Sequence, residues 1–443
     1  FAQQPTFPRS HAEDTKGYMS EEYWKIWNPE EQARIDADIE KYRKADGELI
    51  LENLGRKRDV KIEQVEHEFI FGAHIFNFNQ LGSKERNDRY KELYGTLFNR
   101  ATVPFYWKEF ELEQGKPRFA TEYRDTEEFW NNCKDPHSEL HWRRPSTDQI
   151  VEFCEQKGIK MHGHVLVWGT RGHGIPRWWS EMLTPEELAN WKKYFPNQNP
   201  VRLRSKEKQT SEWGNMSFEE CAQAFPHYPK ALDEAFENRI KQIAERYKGR
   251  IHSWDVVNES NEDYFADRIQ ENLPIAKSRY GIMNGDYPYK SLKWAEKYFP
   301  KEVALNINDY FKTPTYTEQT NRLLERGCKI DVMGLQMHLM KVQQCQDIAN
   351  GVKIQTPSQV RQYINWASKA NLPLHMSEIT ITSPLPASIT AASSPTPLSV
   401  DDCLAVNFEV NRSMSANSPN SEISVLFFSD IFLGYSVYYF VMR

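Results

Sequence analysis

Two glutamates stand where short apolar runs stop: Glu259 ends Trp254-Asp255-Val256-Val257-Asn258-Glu259, and Glu378 ends His375-Met376-Ser377-Glu378. Three more runs end in polar or aromatic residues: Gly163-His164-Val165-Leu166-Val167-Trp168, Asn308-Asp309-Tyr310 and Gln336-Met337-His338. A carboxylate closing a β-branched run beside a Trp and an Asn is hard to explain by packing. Two such groups facing one cleft, with amides and aromatics around them, suit cleavage of a glycosidic bond. One carboxyl group protonates the departing oxygen, and the other attacks carbon or activates water. His164, Trp168, Asn258, Tyr310, Gln336 and His338 are the candidates to touch the sugars or support the two carboxylates. His338 is placed to hydrogen-bond Glu378 and hold it ionised, and Asn258 to bind a sugar hydroxyl. The spacing of the two glutamates in space, about 5 to 5.5 Å for retention against roughly 6.5 to 9.5 Å for inversion, is not readable from sequence.

Residues at the ends of different runs meet only if the runs are strands with a common exit face. Seven candidates recur along the chain: 69–75, 101–107, 160–168, 253–259, 303–310, 332–338 and 372–379. They are separated by helical or irregular stretches, which is the pattern of a (β/α)₈ barrel. The functional end of such a barrel is the C-terminal mouth, where the polar strand endings gather. An eighth strand is expected at Val425 to Phe428. Upstream, apolar residues at helical spacing predict a helix over 21–44 with Ser20 as its cap. Alternation on both sides of Asn53-Leu54-Gly55-Arg56 predicts a small hairpin. The expected organisation is an arm and helix over 1–47, the barrel over 48–383 and an atypical segment over 384–443. That last segment has no Lys, His or Trp, and a barrel lacking one unit would leave two strand edges open.

Composition narrows the partners. The 443 residues hold Lys+Arg 56 against Asp+Glu 62, a net charge of −6, which argues against a protein that must neutralise many phosphates. No run of 18 apolar residues is present, so no membrane-spanning helix is expected. Aromatics make up 13% of the chain, which suits sugar rings as well as a large core. The six cysteines form no CxxC pair, so neither a zinc ribbon nor a redox motif is expected. His162 and His164 are spaced as two metal ligands on a strand, but no third ligand follows, and a sugar hydroxyl explains His164 as well. Trp178-Trp179 reads equally as a sugar platform or as loop packing. The start at Phe1-Ala2-Gln3-Gln4-Pro5 is that of a mature chain after loss of a signal peptide, so secretion is expected.

The set of strand endings, in this order, resembles glycoside hydrolase family 10. The resemblance covers about three quarters of the chain. It implies a (β/α)₈ barrel acting as a retaining endo-β-1,4-xylanase, with Glu259 as acid/base and Glu378 as nucleophile. It places His164, Trp168, Asn258, Gln336 and His338 around the cleavage point. Two departures stand out. The family's second-strand motif Glu-Asn-x-Met-Lys-Trp is replaced by Thr102-Val103-Pro104-Phe105-Tyr106-Trp107, so the asparagine and lysine that grip the second sugar are absent. Where the family continues Glu-Leu-Asp, this chain reads Glu378-Ile379-Thr380, and the aspartate that would orient His338 is missing. A smaller difference is Gly169, where the family often has His.

The resulting expectation is a secreted hydrolase of xylan that works as a monomer with no cofactor and no metal, without nucleic acid or membrane partners. A non-catalytic xylan-binding barrel and an exo-acting glycosidase of the same barrel type are the alternatives.

Overall fold

The structure is a computed structural model that describes residues 10–15, 21–44, 69–170, 172–196, 210–279, 281–338, 356–380, 405–409, 426–432 and 435–441; for Glu22, Tyr23, Ile26, Arg43, His338, Thr380 and the last three stretches only the backbone is described. The expected hairpin around Asn53 and the Ser20 cap lie outside the described residues.

Seven strands run parallel in one curled sheet: β1 (Ile70–His74), β2 (Arg100–Pro104), β3 (Lys160–Trp168), β4 (Ser253–Asn258), β5 (Ala304–Asp309), β6 (Val332–His338) and β7 (Leu374–Thr380). Each pairs with the next in chain order. The helices between them are those a parallel crossover requires. They are α1 (Lys84–Leu97), α2 (Thr147–Lys157), α3 (Tyr228–Tyr247), α4 (Tyr287–Tyr298), α5 (Pro314–Glu325) and α6 (Pro357–Ala367). Local chemistry sets their ends. Ser83 caps α1 through the Arg86 N–H, and Thr356 with Gln359 forms a capping box on α6.

The eighth place belongs to β8 (Ala405–Glu409), not to the expected Val425–Phe428. It runs antiparallel to both neighbours, pairing Ile70 with Glu409 and Ala73 with Val406 on one side, and Thr380 with Ala405 on the other. Leu426–Phe432 instead pairs with Tyr435–Val441 in a separate two-stranded sheet. The physical reason lies in the connection. A parallel return needs a crossover, usually helical, yet 381–404 carries Pro384, Pro386, Pro395 and Pro397 and no helical pattern. An antiparallel strand needs no helix. The alternation of Val406 and Phe408 with Asn407 and Glu409 is the signal that marks it.

The N-terminal helix over 21–44 is broken in two, Glu21–Ile26 and Pro29–Arg43. Asn28 accepts from the Glu30 and Glu31 N–H groups, and Pro29 fits the first turn because its missing N–H would have no intrahelical partner. Glu31 also pairs with Arg361 of α6, which ties this helix to the barrel.

Within the sheet, side chains alternate between the helix layer and the barrel interior. Trp254 faces the helix layer against Phe105 and Phe299, and it comes so close to β3 that a Cβ on residue 163 would lie 2.1 Å from its ring, which only glycine avoids. The interior side is polar: His162, His164, Ser253, Asp255, Asn306, Asn308, Gln336, His375 and Ser377 are all buried. The β3–β4 connection builds its own aromatic core, with Trp179 4.5 Å from Trp191 and Phe195 5.1 Å from Trp213 between ring centroids. Trp178 and Trp179 are both buried there, so the pair is loop packing. Among the described residues Cys133, Cys154, Cys221 and Cys328 are free thiols, and no helix is long and apolar enough to cross a membrane.

Candidate active site

At the C-terminal end of β4 the chain turns out of the sheet. Glu259 adopts φ 56°, a left-handed backbone that costs a non-glycine residue on the order of 1–2 kcal/mol, and its N–H is held by the Asn308 carbonyl at 2.8 Å. The side chain meets the indole of Trp168 at the end of β3, whose Nε1 donates to Glu259 Oε2 at 3.0 Å. Trp168 in turn stacks on His173, with centroids 5.7 Å apart and planes 17° apart, and meets the edge of Tyr106.

Glu378 on β7 has different company. Asn308 Nδ2 donates to Glu378 Oε1 at 2.6 Å, and His164 Nε2 stands 3.9 Å from the same oxygen. On its other side His164 Nδ1 lies 2.8 Å from Asp255 Oδ2, which His162 Nε2 also approaches to 3.0 Å. Burial alone would lower the His164 pKa, but Glu378 and Asp255 beside it overcome that and raise it. Burial alone would raise the Asp255 carboxyl, yet the two imidazoles hold it well below the usual carboxylate range. His164, Asp255 and Glu378 thus place three possible ligand atoms within 4.8 Å of one another. The direct His164–Asp255 hydrogen bond accounts for their closeness, with Glu378 facing the other nitrogen of the same imidazole.

Between the two glutamates lies an amide network. Asn258 Oδ1 accepts from Asn308 Nδ2 at 2.9 Å and from Gln336 Nε2 at 3.0 Å. Asn308 Oδ1 accepts from the Ser377 hydroxyl, and Gly334 leaves room for it: a Cβ there would lie 2.4 Å from that oxygen. With its carbonyl oxygen doubly used, Asn258 is left with its Nδ2 group as side-chain donor. Asp309, one residue on, is fully buried; burial raises its pKa to about 7, although the Asn261 and Phe311 N–H groups both bind it.

Of the residues singled out by sequence, Glu259, Glu378, His164, Trp168, Asn258 and Gln336 come together. Tyr310 stands apart from the network: its hydroxyl donates to Glu262 at 2.6 Å and accepts from Arg279 at 2.9 Å, and burial pushes its pKa up to about 12. The His338 backbone closes β6 opposite Thr380, and the side chain lies outside the described residues. Sequence reading passed over three participants, Asn308, Asp255 and Tyr106. The first two sit inside the strand-end motifs themselves, and period-two alternation places Asp255 on the same face as Ser253, opposite Trp254. Tyr106 occupies the position where the related motif has Lys.

The sequence pattern of glycosyl hydrolase family 10 matches residues 82–412, a stretch that includes β8. Endo-1,4-beta-xylanase A of Halalkalibacterium halodurans is 29% identical over 206 residues, 45% of this chain and 42% of that protein. Endo-1,4-beta-xylanase A of Caldicellulosiruptor sp. is 27% identical over 201 residues, 43% of this chain and 23% of that protein. The chain therefore spans less than half the length of these curated relatives. Among solved structures, xylanase B from Clostridium stercorarium F9 aligns with a TM-score of 0.44 at 20% identity, over 71% of this chain and 73% of that one. Because the family pattern extends over most of the chain and takes in both glutamate-bearing strands, the protein belongs to glycosyl hydrolase family 10.

Proposed function

We propose that the protein is a retaining endo-β-1,4-xylanase, with Glu259 as acid/base and Glu378 as nucleophile. The observation that carries this reading is the unequal setting of the two carboxylates. Glu378 takes an N–H donor from Asn308 and has the His164 imidazole beside it, both of which favour a carboxylate ready to attack. Glu259 meets an indole that both donates to it and walls it, a setting suited to a group that carries a proton to the leaving oxygen and later recovers one from water.

In the first step Glu378 forms a bond to the anomeric carbon while the Glu259 proton passes to the departing oxygen. In the second, water attacks that carbon, Glu259 takes its proton, and the bond to Glu378 breaks. The Asn258 amide and His164 are placed to hold sugar hydroxyls, and Trp168 to stack on a ring. Secretion, action as a monomer and independence of any cofactor belong to the same reading, the last supported by a mechanism that needs only carboxyl groups and water.

Reducing-sugar release from xylan, with mannan and cellulose as controls, tests it. Release from xylan with long oligosaccharides early, abolished by Glu259→Gln and by Glu378→Gln, is the expected result. Monosaccharide alone as product would overturn the endo reading, and full activity in either variant would overturn the assignment of roles.

A further inference from the structure

The mouth carries a cationic group that the two-step chemistry does not use. Tyr106, two residues past β2, meets His164 at 5.3 Å and Trp168 at 5.8 Å between ring centroids, so it stands one ring away from the residue that holds Glu259. On the Tyr106 ring lies the Arg144 guanidinium, 3.9 Å from its centroid, and 4.9 Å from that of Phe76, two residues past β1. A guanidinium stacked by its face keeps its N–H edge available. Arg144 spends one donor, Nη1, on the Arg143 carbonyl at 2.8 Å; its Nε is buried without a partner, and it forms no ion pair among the described residues.

The placement is built in. Arg143 is held at φ 61°, its N–H bound by the buried Gln80, which also donates to the His141 carbonyl at 3.4 Å. Arg118 Nη1 donates to the Arg144 carbonyl at 2.9 Å. A left-handed residue this firmly held is the mark of a site kept in one geometry. The charge around it is unbalanced. Arg143 and Arg144 both act on Tyr106, while Arg144, Lys108 and Arg177 act on the buried carboxyl of Glu109. Tyr106 thus separates an excess of positive charge from the two catalytic carboxylates.

We propose, on the footing of the xylanase reading, that Arg144 binds the carboxylate of a uronic-acid substituent, so that the acidic class of xylan is the preferred substrate. The Nη1–Nη2 end of the guanidinium, away from the buried Nε, matches a carboxylate in a two-point fork. A sugar carboxylate near this wall is also kept at a ring's distance from Glu259 and Glu378, which would repel it.

The test is calorimetric binding to the Glu259→Gln protein, which removes turnover, of two xylo-oligosaccharides of equal backbone length, one bearing a glucuronic acid and one bare. The acidic ligand is expected to bind about 10-fold or more tightly, a difference worth about 1.4 kcal/mol or more. Arg144→Gln brings the ratio of the two affinities to about one, Arg144→Lys keeps part of it, and rising salt reduces it. Equal affinities at the start, or a ratio unchanged by Arg144→Gln, would overturn the proposal, as would an equal loss for both ligands, which marks a structural role. If Arg144→Gln does not fold, the Lys variant and the salt series decide: a ratio that persists at about 1 M salt overturns it. Failure of the xylanase reading shows separately, as no sugar released from xylan by the protein with Glu259 intact.

Discussion

The arc of the barrel from β3 to β7 and the seam where β8 joins β7 to β1 close the same sheet in different ways. Along the arc, strands run parallel under helices, and their inward residues are cross-linked by His162, His164, Asp255, Asn258, Asn308, Gln336 and Ser377. At the seam a short antiparallel strand covers two edges with backbone pairing, four residues against β1 and two against β7. Both glutamates belong to the arc. A barrel tolerates an irregular seam because closure needs only that edges be paired, whereas orienting two carboxyl groups needs a connected network of buried polar side chains. Glu378 stands on the strand that borders both regions, so it is where they are coupled.

The largest effect is expected inside the arc, at Asp255. Removing its charge takes the carboxylate away from two buried imidazoles, and Asp255→Asn is expected to cost about 3–5 kcal/mol of unfolding free energy. The loss depends on pH. Asp255 is held below its ordinary 3.8, so its contribution is present above pH 3.8 and fades as pH falls. His164 is raised above its ordinary 6.5, so its contribution is complete below pH 6.5 and fades as pH rises through its folded value. Denaturant unfolding is therefore expected to show the greatest deficit between about pH 4 and 6.5. An equal deficit at pH 5 and pH 8 would mean that the pair does not carry charge in the folded state.

Legibility in the sequence follows the same division. Strands β3 and β6 have the ends expected of them, because a β-branched or apolar run is bounded there by turn residues and closed by a polar group. At β2 the expected run continued to Trp107, but Trp107–Phe110 is a short helix whose aromatic residues pack in the core. The seam was misplaced because Val425–Phe428 is the more apolar run, while β8 is marked only by two alternating residues. Within the site, Glu259 and Asn258 were legible from a motif whose polar ending packing does not explain. The part of Asn308 was not, since it arises only where β4, β5 and β7 meet. Tyr310 shows the converse: a residue that ends a strand beside the mouth, yet is engaged by Glu262 and Arg279, which lie elsewhere in the sequence.

A smaller effect on stability, with a larger one on rate, is expected at Asn308. Asn308→Ala withdraws the N–H from Glu378, leaves Asn258 with one donor and leaves the Ser377 hydroxyl without its acceptor. A hydrogen bond to a charged group contributes about 1.5–3 kcal/mol. The expected outcome is a fall in kcat on xylan of about 10- to 100-fold, with KM less affected and stability lowered by about 1–3 kcal/mol. Restoring a donor with Asn308→Gln would not help, because the longer chain meets the Gly334 backbone. A fall in KM-dependent binding alone, with kcat intact, would place Asn308 with the sugar contacts and not with Glu378.

The smallest effect is expected at the seam, and it measures how far β8 is coupled to Glu378. Val406 pairs with Ala73 of β1 and Ile379 of β7, the residue after Glu378. Proline there deletes one ladder hydrogen bond, worth about 1 kcal/mol. The matched substitution in the arc is Ile307→Pro, at a residue paired with Val257 and Met333. There the lost bond is buried beneath helices, and the ring must displace close-packed neighbours. Val406→Pro is expected to fold with a midpoint lowered by a few degrees and kcat reduced no more than a few-fold, whereas Ile307→Pro is not expected to fold. If Val406→Pro removes activity while circular dichroism and the unfolding midpoint stay close to those of the parent, the seam positions Glu378 directly, and β8 belongs to the catalytic machinery. If both prolines unfold the chain alike, the two regions do not differ in how tightly they hold the barrel.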